Sequence, residues 1–289
     1  MPADPAFVAP ATVPEALAAL RTEGALAVAG GTSIGLLLGQ SLIEPSVLVW
    51  LGRIPGLREL SCNGATLRVG ATVTLRELSR HPRVRSSWPA LADSAGTVGN
   101  ARVRAVATVG GALAHADPRQ DLPPALAALG ATAEITGPAG VRTVPVAGLA
   151  VGLMETVLEP DELISAVRIP VVPRQHSVYL RFTPGSVADY PTVAAAACAS
   201  RNPDGTLGSV ALCLAGVDRT VLSIPESAGL AGQRTPSAAS LTAVADAAAS
   251  RSQPVADRLG SVAYKRSMAA VWARRALTAC LAATDLSGH

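Results

Sequence analysis

The sequence predicts an α+β protein built from two domains. Its 289 residues exceed the usual length of one domain, and 49% of them are apolar, which is ample for buried cores. Helix-like and strand-like segments mix over residues 1–170, whereas strands come first and two long helices last over residues 174–289. We therefore expect a mixed domain followed by an antiparallel sheet backed by helices.

The first part begins with a helix and short strands. Pro14 lies in the first turn of the helix, a position that proline favours. Asn63-Gly64 separates two alternating segments, which indicates a hairpin. In order, the pattern predicts strands at 25–29 and 47–51, one or two helical turns at 33–40, a hairpin of 57–61 with 66–69, and helices at 74–80 and 89–97.

A glycine-rich stretch at 106–114 precedes the remaining elements. Pro170 and Pro173 bracket a short apolar pair, which is typical of a linker. Before the linker we expect a helix at 122–129, a hairpin of 131–136 with 141–146, and a strand at 163–169. After it we expect strands at 177–182, 192–200, 207–215 and 221–224, then helices at 237–251 and 261–284.

Composition excludes several classes of protein. The single lysine, Lys265, follows Tyr264, so the Gly-Lys pair of a Walker A loop is missing. The net charge is only +3 and no short window is densely basic, so nucleic-acid binding is not indicated. Four scattered cysteines without C-x-x-C, and no H-E-x-x-H, indicate buried free thiols rather than metal ligands. Without a signal peptide or an apolar segment long enough to span a bilayer, we expect a soluble cytoplasmic protein.

Two segments combine adjacent glycines with a hydroxyl side chain. They are Ala29-Gly30-Gly31-Thr32-Ser33, which follows a predicted strand, and Thr108-Val109-Gly110-Gly111-Ala112. Without Cβ atoms the backbone can approach a ligand closely, and its N–H groups can form an anion cradle. Two such cradles would suit a diphosphate, although each glycine pair alone could simply form a tight turn. No G-x-G-x-x-G is present, so an ordinary Rossmann site is not supported.

A rival hypothesis uses Ser33. Residues 31–35 fit G-x-S-x-G, the nucleophile elbow of α/β-hydrolases, and strand–turn–helix is the correct context. The base would be His115, His176 or His289. The elbow should follow several strands, however, and only one is predicted before Ser33. We therefore keep a serine hydrolase only as a minor alternative.

Short phrases along nearly the whole chain resemble the FAD-binding subunits of the molybdenum hydroxylases. This family includes the medium subunit of carbon monoxide dehydrogenase and the flavin domain of xanthine dehydrogenase. Each phrase is weak alone, but their order and spacing together are specific. The phrases are the first glycine segment, the run from Ala107 to Pro118, Asp121-Leu122-Pro123-Pro124, Gly70-Ala71-Thr72-Val73-Thr74, Glu159-Pro160-Asp161-Glu162-Leu163, Arg168-Ile169-Pro170, Tyr264-Lys265-Arg266 and Arg274-Arg275-Ala276-Leu277.

The resemblance implies an architecture and a cofactor. Residues 1–172 would form a vanillyl-alcohol-oxidase-type FAD-binding domain with two lobes, about 1–55 and 56–172. Residues 173–289 would form a small C-terminal domain of three strands and a helical layer. FAD would lie extended between the lobes with its diphosphate on the two glycine segments. Because the family's covalent-flavin relatives use a histidine near the first segment and none lies there, the flavin should be noncovalent.

The resemblance also assigns site residues by position. Asp121 would contact the ribityl chain, or cap the helix that follows it, or do both. Asp117 would bind or cap, Ile164 would lie beside the flavin ring, and Arg181 would be a cation near the ring or a solvated strand charge. Ala112 stands where relatives commonly have Asn or Ser, and residues 102–105 also differ. The diphosphate cradles would be Ala29, Gly30, Gly31, Thr32, Ser33 and Ile34, with Thr108, Val109, Gly110, Gly111 and Ala112.

The function implied is electron transfer within a hetero-oligomer. FAD would receive electrons from [2Fe–2S] clusters on a small partner subunit and pass them to NAD⁺, O₂ or a quinone. A large partner subunit would hold the molybdenum cofactor and oxidise the substrate, which this chain does not identify. The departures at Ala112 and 102–105 motivate an alternative, a structural subunit that has lost FAD or binds it weakly.

Overall fold

The computed structural model describes residues 4–286, with side-chain surroundings described as far as Thr284. The strands are β1 Ala6–Val8, β2 Ala25–Val28, β3 Val47–Trp50, β4 Leu60–Cys62, β5 Thr66–Gly70, β6 Thr132–Gly137, β7 Gly140–Pro145, β8 Ala150–Gly152, β9 Glu155–Thr156, β10 Leu163–Pro170, β11 Gln175–Phe182, β12 Val193–Arg201, β13 Leu207–Ala215 and β14 Leu222–Ser223. The helices are α1 Val13–Leu20, α2 Ile34–Gly39, α3 Leu75–Arg80, α4 Pro82–Ser87, α5 Pro89–Thr97, α6 Ala101–Val106, α7 Val109–His115, α8 Leu122–Ala128, α9 Ala238–Arg251 and α10 Val262–Leu286.

Three larger sheets follow one another along the chain, and β8 pairs with β9 in a separate two-stranded sheet. The first has the parallel order β1-β3-β2, and β1 is a strand that the sequence analysis missed. The second is antiparallel with the order β4-β5-β10-β6-β7. Helices α3 to α8 lie between β5 and β6 in the sequence. The third is antiparallel in the order β11-β12-β13-β14, so it has a short fourth strand beyond the three that the resemblance implied. The mixed α+β class is confirmed.

The third sheet is buried on both faces. Along β12 the side chains alternate between two clusters: Ala194 and Ala196 pack with α8 and the second sheet, whereas Ala195 and Ala197 pack with α10. Small side chains suit this position because they let the layers approach closely on each side. One hydrophobic core therefore joins the second and third sheets, and strand β11 lies directly beside the helices of the second sheet.

Most predicted elements are present within a residue or two of their expected bounds. Helices α4 and α6 were missed, and the glycine-rich stretch contains helix α7 instead of an open turn. The four cysteines are free, as expected, and burial raises the pKa of Cys213 to about 11. Cys62, however, is only half-buried. Within residues 4–286, no helix combines the length and apolar content needed to cross a membrane.

Candidate functional site

The first glycine segment turns the chain sharply at the end of β2. The indole N–H of Trp50, on the neighbouring strand, donates to the carbonyl of Ala29 at 3.2 Å and holds the start of the turn. Gly31 has φ +68°, a left-handed conformation that glycine adopts without strain. The N–H of Gly35 then donates to the Gly31 carbonyl at 2.8 Å and begins α2. Strand pairing and this helix together define the path of residues 29–34.

The backbone of this turn offers donors to a ligand. Among residues 4–286, no protein group accepts a hydrogen bond from the N–H of Gly31, Thr32 or Ser33. All three residues are partly exposed. Successive N–H groups in such a turn form a concave anion site. The first segment therefore has unpaired N–H groups, and its use as an anion cradle stays a prediction.

The two glycine segments lie against each other. A Cβ atom on Gly30 would overlap the backbone carbonyl of Val106 and lie 3.0 Å from the backbone nitrogen of Ala107. Only glycine permits this approach, because the obstacle is backbone that cannot rotate away. Since Ala107 precedes Thr108 directly, the structure brings the first segment to the start of the second.

The second segment is not the row of free donors that we expected. The N–H of Val109 donates to the Val73 carbonyl at 3.0 Å and the N–H of Gly110 to the Ala71 carbonyl at 2.8 Å. The N–H of Gly111 donates to Thr108 Oγ1 at 3.1 Å, and that of Ala112 to the Thr108 carbonyl. Thr108 is therefore a helix N-cap, and tertiary contacts satisfy the remaining donors. The prediction that this segment offers free N–H groups to an anion is therefore wrong.

What the second segment does present is an open backbone surface. Gly110 is buried, and its Cβ would lie 2.6 Å from the Cβ of Ala71. Gly111 is exposed, and its Cβ would meet only the Thr108 hydroxyl oxygen, at 2.9 Å. Ala112 is half-buried and packs against the core. Gly110 thus serves packing, whereas Gly111 leaves space that a ligand can fill.

Asp121 lies at the junction between α8 and the third sheet. Its Oδ1 accepts a hydrogen bond from the Tyr179 hydroxyl and lies 3.1 Å from Nη1 of Arg181. The hydrogen bond from Tyr179 and the ion-pair contact with Arg181 thus both fall on Oδ1. Although Asp121 precedes α8, its side chain caps no backbone N–H, so the capping alternative is wrong.

Burial raises the pKa of Asp121 from 3.8 to about 6, and the hydrogen bond from Tyr179 and the charge of Arg181 offset part of that rise. The carboxylate is therefore ionised at neutral pH but close to titration. Burial and the negative charge of Asp121 also raise the pKa of Tyr179 well above its usual value, which keeps its hydroxyl protonated as a donor. The arrangement provides one oriented carboxylate oxygen for a ligand hydroxyl.

Arg181 is not a solvated charge, so that alternative is also wrong. Its side chain is only 10% exposed and, besides the contact with Asp121, donates to the carbonyls of Thr97 and Asp189. Its Nε is buried and lacks an acceptor among the described residues. The cation thus links α5, α8 and the loop after β11.

Asp117 and Ile164 occupy different surroundings. Asp117 is buried, and its Oδ1 accepts from the backbone N–H of Arg119 at 2.9 Å, so it stabilises the turn before α8. Ile164 is 4% exposed and lies in the main core. The strand of Ile164 is tied to the second glycine segment through Ala71, whose N–H donates to the Ser165 carbonyl and whose carbonyl accepts from Gly110. Whether either residue contacts a flavin stays a prediction.

The sequence analysis missed Tyr179. A signal was available, because Tyr179 and Arg181 lie two residues apart on a strand and therefore share a face.

The hydrolase alternative gains no support: β1 adds only one more strand before Ser33, and the Ser33 side chain caps no backbone N–H. His289, one of its possible bases, lies outside the described residues.

Comparison with known proteins agrees with this geometry. Residues 3–172 match the family described as the FAD binding domain in molybdopterin dehydrogenase, and residues 179–280 match the CO dehydrogenase flavoprotein C-terminal domain. The carbon monoxide dehydrogenase medium chain of Hydrogenophaga pseudoflava is 31% identical, with 96% of each chain covered. The nicotine 6-hydroxylase medium subunit of Paenarthrobacter nicotinovorans is 29% identical, with 94% of this chain and 95% of that subunit covered.

Solved structures give the same result. Carbon monoxide dehydrogenase from Hydrogenophaga pseudoflava, in a form lacking the Mo-pyranopterin moiety of its cofactor, superposes with a TM-score of 0.92 at 31% identity, covering 98% of this chain and 99% of that chain. Quinoline 2-oxidoreductase from Pseudomonas putida 86 gives a TM-score of 0.89 at 30% identity over the same shares. These matches define an oxidoreductase flavoprotein with an FAD-binding domain. The chain belongs to the FAD-binding medium subunits of the molybdenum hydroxylase family, which confirms the resemblance.

Proposed function

We propose that this chain is the electron-transfer subunit of a cytoplasmic molybdenum hydroxylase complex. Residues 1–172 would form the FAD-binding domain, with lobes of about 1–55 and 56–172, and residues 173–289 would form the C-terminal flavoprotein domain. The observation that carries the proposal is the contact between the two glycine segments. Without side chains at the glycines, an extended dinucleotide could lie close to both backbones. The family membership makes FAD the dinucleotide.

The two segments hold the FAD diphosphate in different ways. The free N–H groups of Gly31, Thr32 and Ser33 donate to its oxygens. The second segment contributes the open surface at Gly111 and the Thr108 hydroxyl, whose hydrogen is not used in its bond with the Gly111 N–H. The N–H groups of this segment are already paired, so the first segment supplies most of the directional binding.

Asp121 binds the ribityl chain. Tyr179 and Arg181 engage Oδ1, which leaves Oδ2 for a ribityl hydroxyl donor. Arg181 balances the charge of the buried carboxylate and keeps a cation close to the flavin. Asp117 supports the turn that carries Asp121, and Ile164 lies on the core side of the ring.

The bound flavin supplies the redox chemistry that joins one-electron donors to a two-electron acceptor. This chain's residues hold the cofactor noncovalently and set the charges around it. Because its relatives are named medium chains or medium subunits, the partners would be a large subunit with the molybdenum cofactor and a small subunit with [2Fe–2S] clusters. The terminal acceptor would be NAD⁺, O₂ or a quinone.

Flavin content of the purified full chain tests the proposal. We expect absorbance near 450 nm, complete release of the chromophore by acid, and rebinding of added FAD. Covalently retained flavin would contradict noncovalent binding. A folded chain that is colourless and rejects added FAD would overturn the proposal and support the alternative of a structural subunit without flavin.

A further inference from the structure

A cleft of about 680 Å³ opens between the helices of the second sheet and the third sheet. Helices α3, α4, α5 and α6 form one wall, and Leu180 of β11 and Trp272 of α10 form the other. None of residues 29–34 or 108–112 lines it. The cleft is therefore separate from the two glycine segments, although Tyr179 and Arg181, which contact Asp121, also line it.

The cleft concentrates positive charge. Arg76 and Arg80 project from α3 and Arg85 from α4. No carboxylate within residues 4–286 forms an ion pair with any of these three guanidinium groups. Arg104 adds a fourth, held in place by hydrogen bonds of 2.9 Å to the carbonyls of Val98 and Gly99. Neutral carbonyls orient this cation but do not cancel its charge.

Only one acidic side chain lines the cleft. It is Asp93, and burial raises its pKa, although the charge of Arg85 offsets part of the rise. Four arginines that lack an ion pair thus face a single carboxylate. Arg76, Arg80 and Arg85 are exposed, so water screens their charges, but an anion in the cleft would be attracted by several of them at once.

Arg181 adds a second, independent observation. It lines the cleft from β11, opposite the helices, and only 10% of its side chain is exposed. Its Nη groups are engaged, but its buried Nε has no acceptor among the described residues. The Nε atom is closed to solvent, so Arg181 adds a buried guanidinium to this wall of the cleft rather than a free donor.

We propose that this cleft binds a small molecule that carries two or more phosphate groups. Its volume lies within the roughly 300–1,000 Å³ of small-molecule sites. Arginine is the side chain best suited to phosphate oxygens, because its planar guanidinium donates in pairs. Arginines on both walls favour a ligand with more than one anionic group over a single ion. The concave shape favours a small molecule over an acidic protein surface.

The test uses the full chain saturated with FAD and titrated with inorganic diphosphate by calorimetry at constant ionic strength. We expect saturable binding at one site per chain. Arg85→Gln should weaken it about tenfold or more, the loss typical of one charge-assisted contact. Arg83→Gln is the matched control, because Arg83 lies on the same helix, is exposed and does not line the cleft.

Several results would overturn the proposal. They are the absence of saturable binding in a folded chain, equal affinity in the Arg83 and Arg85 variants, and tighter binding of an acidic peptide than of diphosphate. Diphosphate binding that appears only when FAD is removed would assign the signal to the flavin site instead. Both substituted residues are exposed, and circular dichroism of each variant confirms that lost binding is not lost folding.

Discussion

The Tyr179 hydroxyl donates a hydrogen bond to Asp121 across 58 residues of sequence, from the third sheet to the residue before α8. Arg181, two residues further along the same strand, contacts the same carboxylate oxygen. The orientation of Asp121 is therefore set from the part of the chain that matches the C-terminal family model. If Asp121 binds FAD as proposed, both matched parts of the chain build the cofactor site.

Tyr179→Phe tests this relationship. Loss of the hydroxyl removes one donor to Asp121 without removing the aromatic packing, so FAD affinity at pH 7.5 should fall about threefold to tenfold. The pKa of Asp121 should rise, because the hydrogen bond lowers it. Fluorescence titration with FAD at several pH values measures both effects. An unchanged midpoint for the pH dependence would show that Tyr179 acts only through packing.

FAD affinity should depend on pH through Asp121. With a pKa of about 6, its carboxylate is ionised above that pH and accepts a ribityl hydroxyl, and it becomes protonated below. At pH 5 about a tenth of the population remains ionised, so the dissociation constant should rise by up to about tenfold from its value at pH 8. Asp121→Asn should bind FAD weakly at both pH values, and its dissociation constant should not change between them. An equally large change in the dissociation constant of the Asn variant would show that another group causes the pH dependence.

The two glycines of the second segment should respond differently to substitution. In Gly111→Val the added Cβ is exposed but lies 2.9 Å from the Thr108 hydroxyl oxygen, so Thr108 must shift slightly; the chain should still fold but lose flavin. Gly110→Ala drives a Cβ into Ala71 and should destabilise the fold by about 1–3 kcal/mol. The ratio of absorbance at 450 nm to that at 280 nm, with the melting temperature, separates the two outcomes. Normal flavin content in Gly111→Val would remove this segment from the site.

Gly30 should be the least replaceable residue of the first segment. Gly30→Ala forces the two segments apart, and we expect both a loss of about 1–3 kcal/mol of stability and loss of flavin. Gly35→Ala is the matched control, because it lies in α2 with no atom within 4 Å of the added Cβ, and should stabilise by about 0.5–1 kcal/mol. Urea denaturation measures both changes. Equal stability of the two variants would contradict the close approach at Val106.

The single lysine has a structural role in the C-terminal region. Lys265 is buried, and its Nζ lies 2.7 Å from Asp257 Oδ1 and donates to the Val255 carbonyl at 2.8 Å. Asp257→Asn should cost about 1–3 kcal/mol, because it leaves a buried ammonium without its counter-charge. Lys265→Met should cost less, since it removes the buried charge itself. Chemical denaturation of the two variants gives the comparison, and the reverse order would contradict this account.

The sequence predicted those features that depend on local chemistry. Asn63-Gly64 placed the β4–β5 hairpin, alternating and apolar segments placed β10 to β13, and the Ala-rich C-terminal segments became α9 and α10. It missed the three-residue strand β1 and the six-residue helix α6, because such short segments show too little periodicity. The order of motifs also determined the family, since that information lies in the chain itself.

Only the tertiary structure decided how the candidate residues are used. A glycine pair predicts a turn, but the carbonyls of Val73 and Ala71 made the second segment a helix start with no free donors. Asp121 before α8 predicts a cap, but Tyr179 and Arg181 turned its carboxylate toward the third sheet. In each case the deciding partner is distant in sequence. A hydrogen-bonding group pairs with whichever partner the folded chain brings within reach. The local sequence pattern does not show which distant residue that partner will be.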